Sequence, residues 1–355
     1  MQPQSLSFLK ALLDAPGPSG FETAPAAIWR TEAEGFADEV GAEVTGSSRA
    51  TINGGGRPRI MFAGHIDEIG LMATYIDDDG FVYFDPIGGW DHQVFVGQRV
   101  QLLGRAGPVA GVIGKKAIHL IEADDRDKVT KAKDLWIDIG AASRDEAAEA
   151  VRVGDPGVLG SAILELPNGR IVSRSLDNRI GAFVVLEALR RLAADRPAAG
   201  VTAVATSQEE IAYTGGGART AAVALEAEVA IVVDVTHATD HPGVEKKHHG
   251  DVRLGCGPVL SRGSAINPMV FDLLARAADE ESIPYTLQAA PRMTGTDADA
   301  IFTAHAGVAT GLVSVPNRYM HSPNEMVVLE DLDRAADLLA AFARRVDAGT
   351  DFVPR

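Results

Sequence analysis

The hydrophobic pattern of this chain changes twice, and the two changes restrict its architecture more than any single motif does. Residues 1 to about 70 mix two periodicities. Leu6, Leu9 and Leu13 share one face of a helix over residues 5–13, and Arg59-Ile60-Met61-Phe62-Ala63-Gly64 reads as a buried strand ending at a glycine. From about residue 71 to 166 the texture becomes short strands separated by glycine turns. Residues 71–76 and 81–84 flank the hairpin loop Asp77-Asp78-Asp79-Gly80, and further strands are expected at 99–103, 109–113 and 134–139. Strands at this spacing build a small barrel or sandwich. Ser143 with Glu146 three residues on forms a capping box for one short helix to Val151. After about residue 169 the first pattern returns, with helices expected at 178–192, 216–225 and 267–281 and strands at 201–206, 229–233 and 307–313. Asn267-Pro268 opens the third of these helices, since proline suits the first helical position. Leu329, Leu332, Leu338, Leu339 and Phe342 mark the buried face of a last helix. The simplest reading is an α/β domain, residues 1–70 and 165–355, interrupted by an inserted small β-barrel at 71–164.

Composition excludes several classes of function. The chain has 355 residues and a formal charge of −16, which is the wrong sign for nucleic acid or an anionic membrane surface. Its single cysteine, Cys256, rules out an internal disulfide framework and fits a reducing compartment. Residues 1–14 lack the basic-then-apolar pattern of a secretory signal, and no run approaches the ~18–20 apolar residues of a membrane span. The expectation is a cytoplasmic protein.

Chemistry-bearing residues cluster next to the expected strands. Glu209-Glu210 follows the apolar run Val201–Thr206, and adjacent carboxylates repel unless a cation is near. A metal ion accepts one as ligand and leaves the other as base. His65 and Asp67 follow the strand at 59–63, two residues apart on extended chain, so both point to one face. That suits a ligating imidazole whose second nitrogen is held by a carboxylate. Asp177 stands at a helix start, where an acid is ordinarily a cap or dipole partner but where two oxygens also suit a bridge between ions. Asp234 closes the strand Ala230-Ile231-Val232-Val233, a costly place for an unpaired charge. His321 lies in the loop Tyr319-Met320-His321-Ser322-Pro323 beyond the strand at 307–313. His237, His241, His248 and His249 are too irregularly spaced to be read as ligands. In open α/β sheets sites gather at the carboxyl ends of parallel strands. Five nitrogen and oxygen ligands there suit two divalent ions such as Zn²⁺, Co²⁺ or Mn²⁺, and without thiolates a structural zinc site is excluded.

These residues, in order, resemble the M42 family of dinuclear metallo-aminopeptidases. The likeness spans nearly the whole chain. It is carried by Gly64-His65-Ile66-Asp67-Glu68-Ile69-Gly70, Ser175-Leu176-Asp177-Asn178-Arg179, Gln208-Glu209-Glu210-Ile211, Val233-Asp234-Val235-Thr236, Gly295-Thr296-Asp297-Ala298 and Arg318-Tyr319-Met320-His321-Ser322-Pro323. The resemblance implies a three-layer metallopeptidase domain, a PDZ-like dimerisation insert, and dimers that assemble into a tetrahedral dodecamer. It implies that His65 and Asp234 are terminal ligands of one metal, Glu210 and His321 of the other, and that Asp177 bridges them. Glu209 is then the general base and Asp67 orients His65. One departure stands out: Ala212-Tyr213-Thr214-Gly215-Gly216 makes the connection after the Glu pair longer than the family's usual short glycine turn.

The implied activity is removal of N-terminal residues, with a lean towards apolar ones such as Leu, from short peptides with a free α-amine. Glu209 takes a proton from the attacking water and returns it to the leaving amine. Three rivals remain: a metal-independent endoglucanase-type glycosidase, a dinuclear deacylase of N-acyl amino acids, and a non-catalytic metal-binding scaffold. Glycosidases work through two carboxyls set apart, which neighbouring glutamates do not supply.

Overall fold

The computed structural model describes residues 1–211 and 215–355, the side chain of residue 125 excepted. Among these residues the strands on either side of the barrel segment assemble into one eight-stranded sheet. Edge to edge its strands are Glu39–Ala42, Ser48–Ile52, Gly200–Thr206, Arg59–His65, Val229–His237, Ala309–Asn317, Val259–Gly263 and Thr286–Ala290. The four central strands, Gly200–Thr206 to Ala309–Asn317, run parallel, so their carboxyl ends lie on one side. They are buried almost end to end, as apolar strands covered on both faces must be.

The helix Leu176–Ala194 packs on the central strands and against the last helix, Leu329–Arg344. Two glycines let it come that close. A Cβ at Gly64 would lie 2.4 Å from the backbone carbon of Gly181, and a Cβ at Gly181 would lie 2.5 Å from the Val233 carbonyl oxygen. No side chain fits there, so helix and sheet meet backbone to backbone beside His65 and Asp177.

Residues Gly70–Ile76, Val82–Ile87, Arg99–Gly104, Gly107–Gly114, Trp136–Asp138 and Pro156–Leu159 close a six-stranded barrel. It has its own apolar cluster, with Phe95 at its centre between Phe84 and Trp90. The expected α/β fold with a small inserted barrel is therefore borne out. Ser143 caps the helix Arg144–Ala150 as its spacing implied, accepting from the Glu146 N–H. Among the described residues no helix is long and apolar enough to cross a membrane.

Two strands run further than the sequence pattern implied. Val229–His237 continues past Asp234, because its neighbour Ala309–Asn317 stays paired with it as far as His237. Asp234 therefore lies within a strand and does not end it. It does lie beyond the last pairing with Arg59–His65, at Val232, and that gap opens its side chain to the site. The helix at 176–194 begins irregularly: Asp177 and Asn178 have non-helical backbone angles, and the regular helix starts at Arg179.

Candidate metal centre

His65, Asp177, Glu209, Glu210, Asp234 and His321 line one cavity of about 1250 Å³ at the carboxyl ends of the parallel strands. His65 terminates one strand; Glu209 and Glu210 sit in a single 3-10 turn, Glu209–Ile211, just past another. The irregular start of the helix aims Asp177 into the same cavity. His321 lies in a loop whose residues Tyr319 and His321 are both left-handed, with φ of 62° and 58°.

The distances centre on Asp177. Its Oδ1 is 3.2 Å from His65 Nε2, and its Oδ2 is 3.3 Å from His321 Nε2. Asp234 Oδ1 lies 4.0 Å and Glu209 Oε2 3.7 Å from His65 Nε2, whereas Glu210 Oε2 lies 3.5 Å from His321 Nε2. Among the described residues two groups bring their donor atoms within 4.8 Å of one another: His65, Asp177 and Glu210, and His65, Glu209 and Asp234. His321 is outside both groups and joins the cluster through Asp177 and Glu210.

Asp67 does not line the cavity. It is fully buried, with Oδ1 3.4 Å from His65 Nδ1, and accepts the backbone N–H of Glu209 at 3.2 Å and of Glu210 at 3.1 Å. The carboxylate facing the histidine thus also fixes the turn that presents the glutamate pair. His65 Nδ1 is within ion-pair distance of Asp67 but out of line for a hydrogen bond, and has no hydrogen-bond partner among the described residues.

The electrostatics show a shortage of positive charge. Burial and the nearby Asp234, Asp297 and Asp67 carboxylates push the Glu209 carboxyl up to about 9. Burial, reinforced by Asp177, raises Glu210 and Asp234 well above the ordinary carboxylate range. Burial opposes a proton on His65, yet Glu209, Asp177 and Asp67 outweigh it and hold that imidazole well above its ordinary value. Likewise, against the effect of burial, His321 and His65 hold the Asp177 carboxyl well below its ordinary range. Two imidazoles are too little charge for this many buried carboxylates, and a divalent cation among them relieves the repulsion. The buried Glu210 Oε1, without a hydrogen-bond partner among the described residues, is a free donor atom of the right kind. The residues present fit hard or borderline divalent ions with nitrogen and oxygen ligands.

Sequence reasoning missed the scaffolding. Glu325 accepts the N–H of Asp177 at 2.8 Å and of His321 at 2.9 Å, so one buried carboxylate ties two site loops together. Glu68 is held by Arg174 and Arg179 and accepts from the Gly17 N–H. Asp297 accepts from the Thr206 hydroxyl, and burial raises its carboxyl to about 6. Glu68 and Asp297 stand inside two of the quoted motifs without a role assigned to them, and nothing local hints at Glu325. His237 lines the cavity, but neither it nor His241, His248 or His249 belongs to a candidate ligand group among the described residues. The longer connection at 212–216 lies in part outside the described residues, which resume at Gly215.

The M42 glutamyl aminopeptidase family model matches residues 46–338. A lysyl aminopeptidase from Pyrococcus furiosus is 34% identical over 351 residues, covering 98% of each chain. A TET aminopeptidase structure from the archaeon Thaumarchaeota archaeon SCGC AB-539-E09 superposes with a TM-score of 0.92 at 36% identity over 97% of each chain. The TET1 peptidase of Pyrococcus horikoshii, described as assembling into a tetrahedron or a large octahedral shell, gives a TM-score of 0.85 at 29% identity, covering 96% of this chain and all of that one.

Proposed function

The chain belongs to the M42 family of aminopeptidases, and from that premise we propose that it releases N-terminal residues from short peptides through a dinuclear metal centre. The observation that carries the reading is the split carboxylate of Asp177, one oxygen towards each histidine. His65 and Asp234 would hold one ion, His321 and Glu210 the other, and Asp177 both. When bound, two such ions polarise the peptide carbonyl and make water acidic enough to attack near neutral pH.

Glu209 is the general base. Its side chain is 17% exposed against 5% for Glu210, so it meets water and substrate where Glu210 does not. Glu209 Oε2 takes the proton of the attacking water and delivers it to the leaving amine. Asp67 keeps this carboxylate in place by holding the Glu209 and Glu210 N–H groups.

The substrate pocket has two characters. Ile211, Leu312, Met293 and Met320 line it and support an apolar N-terminal residue such as Leu. Arg219 and Arg292 also line it, and they favour a second reading, an acidic residue. The matching family is described by glutamyl activity and the Pyrococcus furiosus relative by lysyl activity, so kinship leaves the choice open. The likeness to TET peptidases supports an oligomer of dimers, up to a dodecamer, with the barrel as the dimerisation element.

The test is a panel of Leu-, Glu- and Lys-chromogenic substrates, assayed after chelation and after add-back of Zn²⁺, Co²⁺ or Mn²⁺. Activity is expected to vanish on chelation and return with metal. Glycoside hydrolysis that survives chelation would overturn the reading, and cleavage confined to N-acyl amino acids would favour a deacylase. Glu209→Gln is expected to keep both ions and lose about 10²–10⁴-fold in turnover, whereas Glu210→Ala loses metal. Near-normal turnover in the Gln variant removes Glu209 from its role.

A further inference from the structure

The wall of the cavity over His321 is not made by the α/β domain. It is made by Gly88 and Gly89, in the connection from the barrel strand Val82–Ile87 to the turn His92–Phe95. A Cβ at Gly89 would lie 3.4 Å from His321 Nδ1 and 3.5 Å from Cε1, so bare backbone rests against the edge of the ring that faces away from Asp177. A backbone hydrogen bond at Gly89 reaches the same ring. Gly88 has a φ of 79°, and a Cβ there would sit 2.6 Å from Ile69 Cγ2 and 3.5 Å from Glu210 Cβ. Both residues assigned to the second ion therefore lie beside this one barrel segment.

The segment is pinned. Trp90 Nε1 donates to the Gly70 carbonyl at 3.0 Å and to the Ile87 carbonyl at 3.2 Å, and its ring packs at a 42° tilt against Phe95 with centroids 4.8 Å apart. His321 needs such a support. Its side chain is 35% exposed, against 2% for His65, and it stands on a left-handed loop and not a strand end. A ligating imidazole is commonly oriented by a partner at its second nitrogen. For His65 that side carries Asp67; for His321 it carries the barrel.

We propose that Gly89 is a positioning residue for the His321 imidazole, so that the inserted barrel forms one wall of the metal centre and governs the seating of one of its two ions. This rests on the dinuclear reading above. A Cβ at position 89 reaches only ordinary contact with the ring, so it is bulk beyond Cβ that pushes on the imidazole and turns Nε2 away from Asp177 and Glu210.

The test uses the full chain, stripped of metal and titrated with Co²⁺, with visible absorption and bound-metal content as readouts. Gly89→Val is expected to weaken one ion by about 10–100-fold, the range for groups that orient ligands, while the other binds as in the parent protein. Gly89→Ala, whose Cβ reaches only ordinary contact with the ring, is expected to bind both ions nearly as the parent protein does. Trp90→Phe, which keeps the ring on Phe95 but removes the N–H, gives a selective loss without adding bulk. The metal-free melting temperature stays that of the parent protein in the two Gly89 variants, while Trp90→Phe, which loses two hydrogen bonds, lowers it modestly. Two ions bound at parental affinity in Gly89→Val would overturn the proposal. Equal weakening of both ions with a lowered metal-free melting temperature would overturn it too, since the effect would then be on folding. If the Val chain fails to fold, the Trp90→Phe titration decides by the selectivity of the loss for one ion. A parent protein that binds only one ion would instead sink the dinuclear reading itself.

Discussion

On one flank of the site Asp67 accepts the N–H groups of Glu209 and Glu210; on the other Glu325 accepts those of Asp177 and His321. Both carboxylates are buried, and each fastens two residues of the centre. Their electrical settings differ. Asp67 faces the His65 ring, which holds its carboxyl below the ordinary range despite burial. Burial drives Glu325 well above the ordinary range, and the nearby Asp177 pushes the same way, with the two N–H groups as partial compensation. The same geometric task is thus done by a charged group on one side and by a carboxyl that resists charge on the other. Anchoring loops needs acceptor oxygens, not charge; tuning a histidine needs charge.

Asp177, where the flanks meet, gives the largest expected effect. Asp177→Ala should lose both ions together and bring turnover down to the chelated level, checked by metal content beside the rate. Retention of one tightly bound ion would mean the two flanks are independent. The next effect separates the anchors. Asp67→Asn should cost about 10–100-fold in affinity for the ion on the His65 side, as a lost orienting carboxylate does. Glu325→Gln should cost less than Asp67→Asn, because it removes little charge and keeps one acceptor. Equal losses in parallel titrations would break the electrical distinction between them. The smallest effect concerns packing alone. Gly64→Ala should destabilise the fold by about 1–3 kcal/mol through overpacking against Gly181, lowering the melting temperature. Against Gly89→Val, whose bulk presses on the His321 ring, the contrast is fold stability on one flank and metal seating on the other.

Much of the fold was legible locally. The runs at 60–63, 201–206 and 230–233 carry no charge, and such runs find water-free partners on both faces. The glycine-spaced strands between residues 71 and 166 announced a second, smaller core for the same reason. His65, Asp177, Glu209, Glu210, Asp234 and His321 were legible because strand ends in such sheets gather chemistry on one side. The fold brings all six to a single cavity. What the pattern misjudged was extent: Asp234 looks like a terminus, yet pairing with Ala309–Asn317 carries the strand beyond it.

The sequence by itself determined which side chains are present and which segments must be buried, because period and polarity are local properties. Only the tertiary structure decided who supports whom. Asp67 reaches the turn at 209–210, Glu325 reaches Asp177, and Gly89 of the barrel reaches His321, each across a long stretch of chain. Such contacts depend on helix and strand meeting backbone to backbone at Gly64 and Gly181, and on where the barrel comes to rest. Those are distances in space, and no spacing along the chain encodes them.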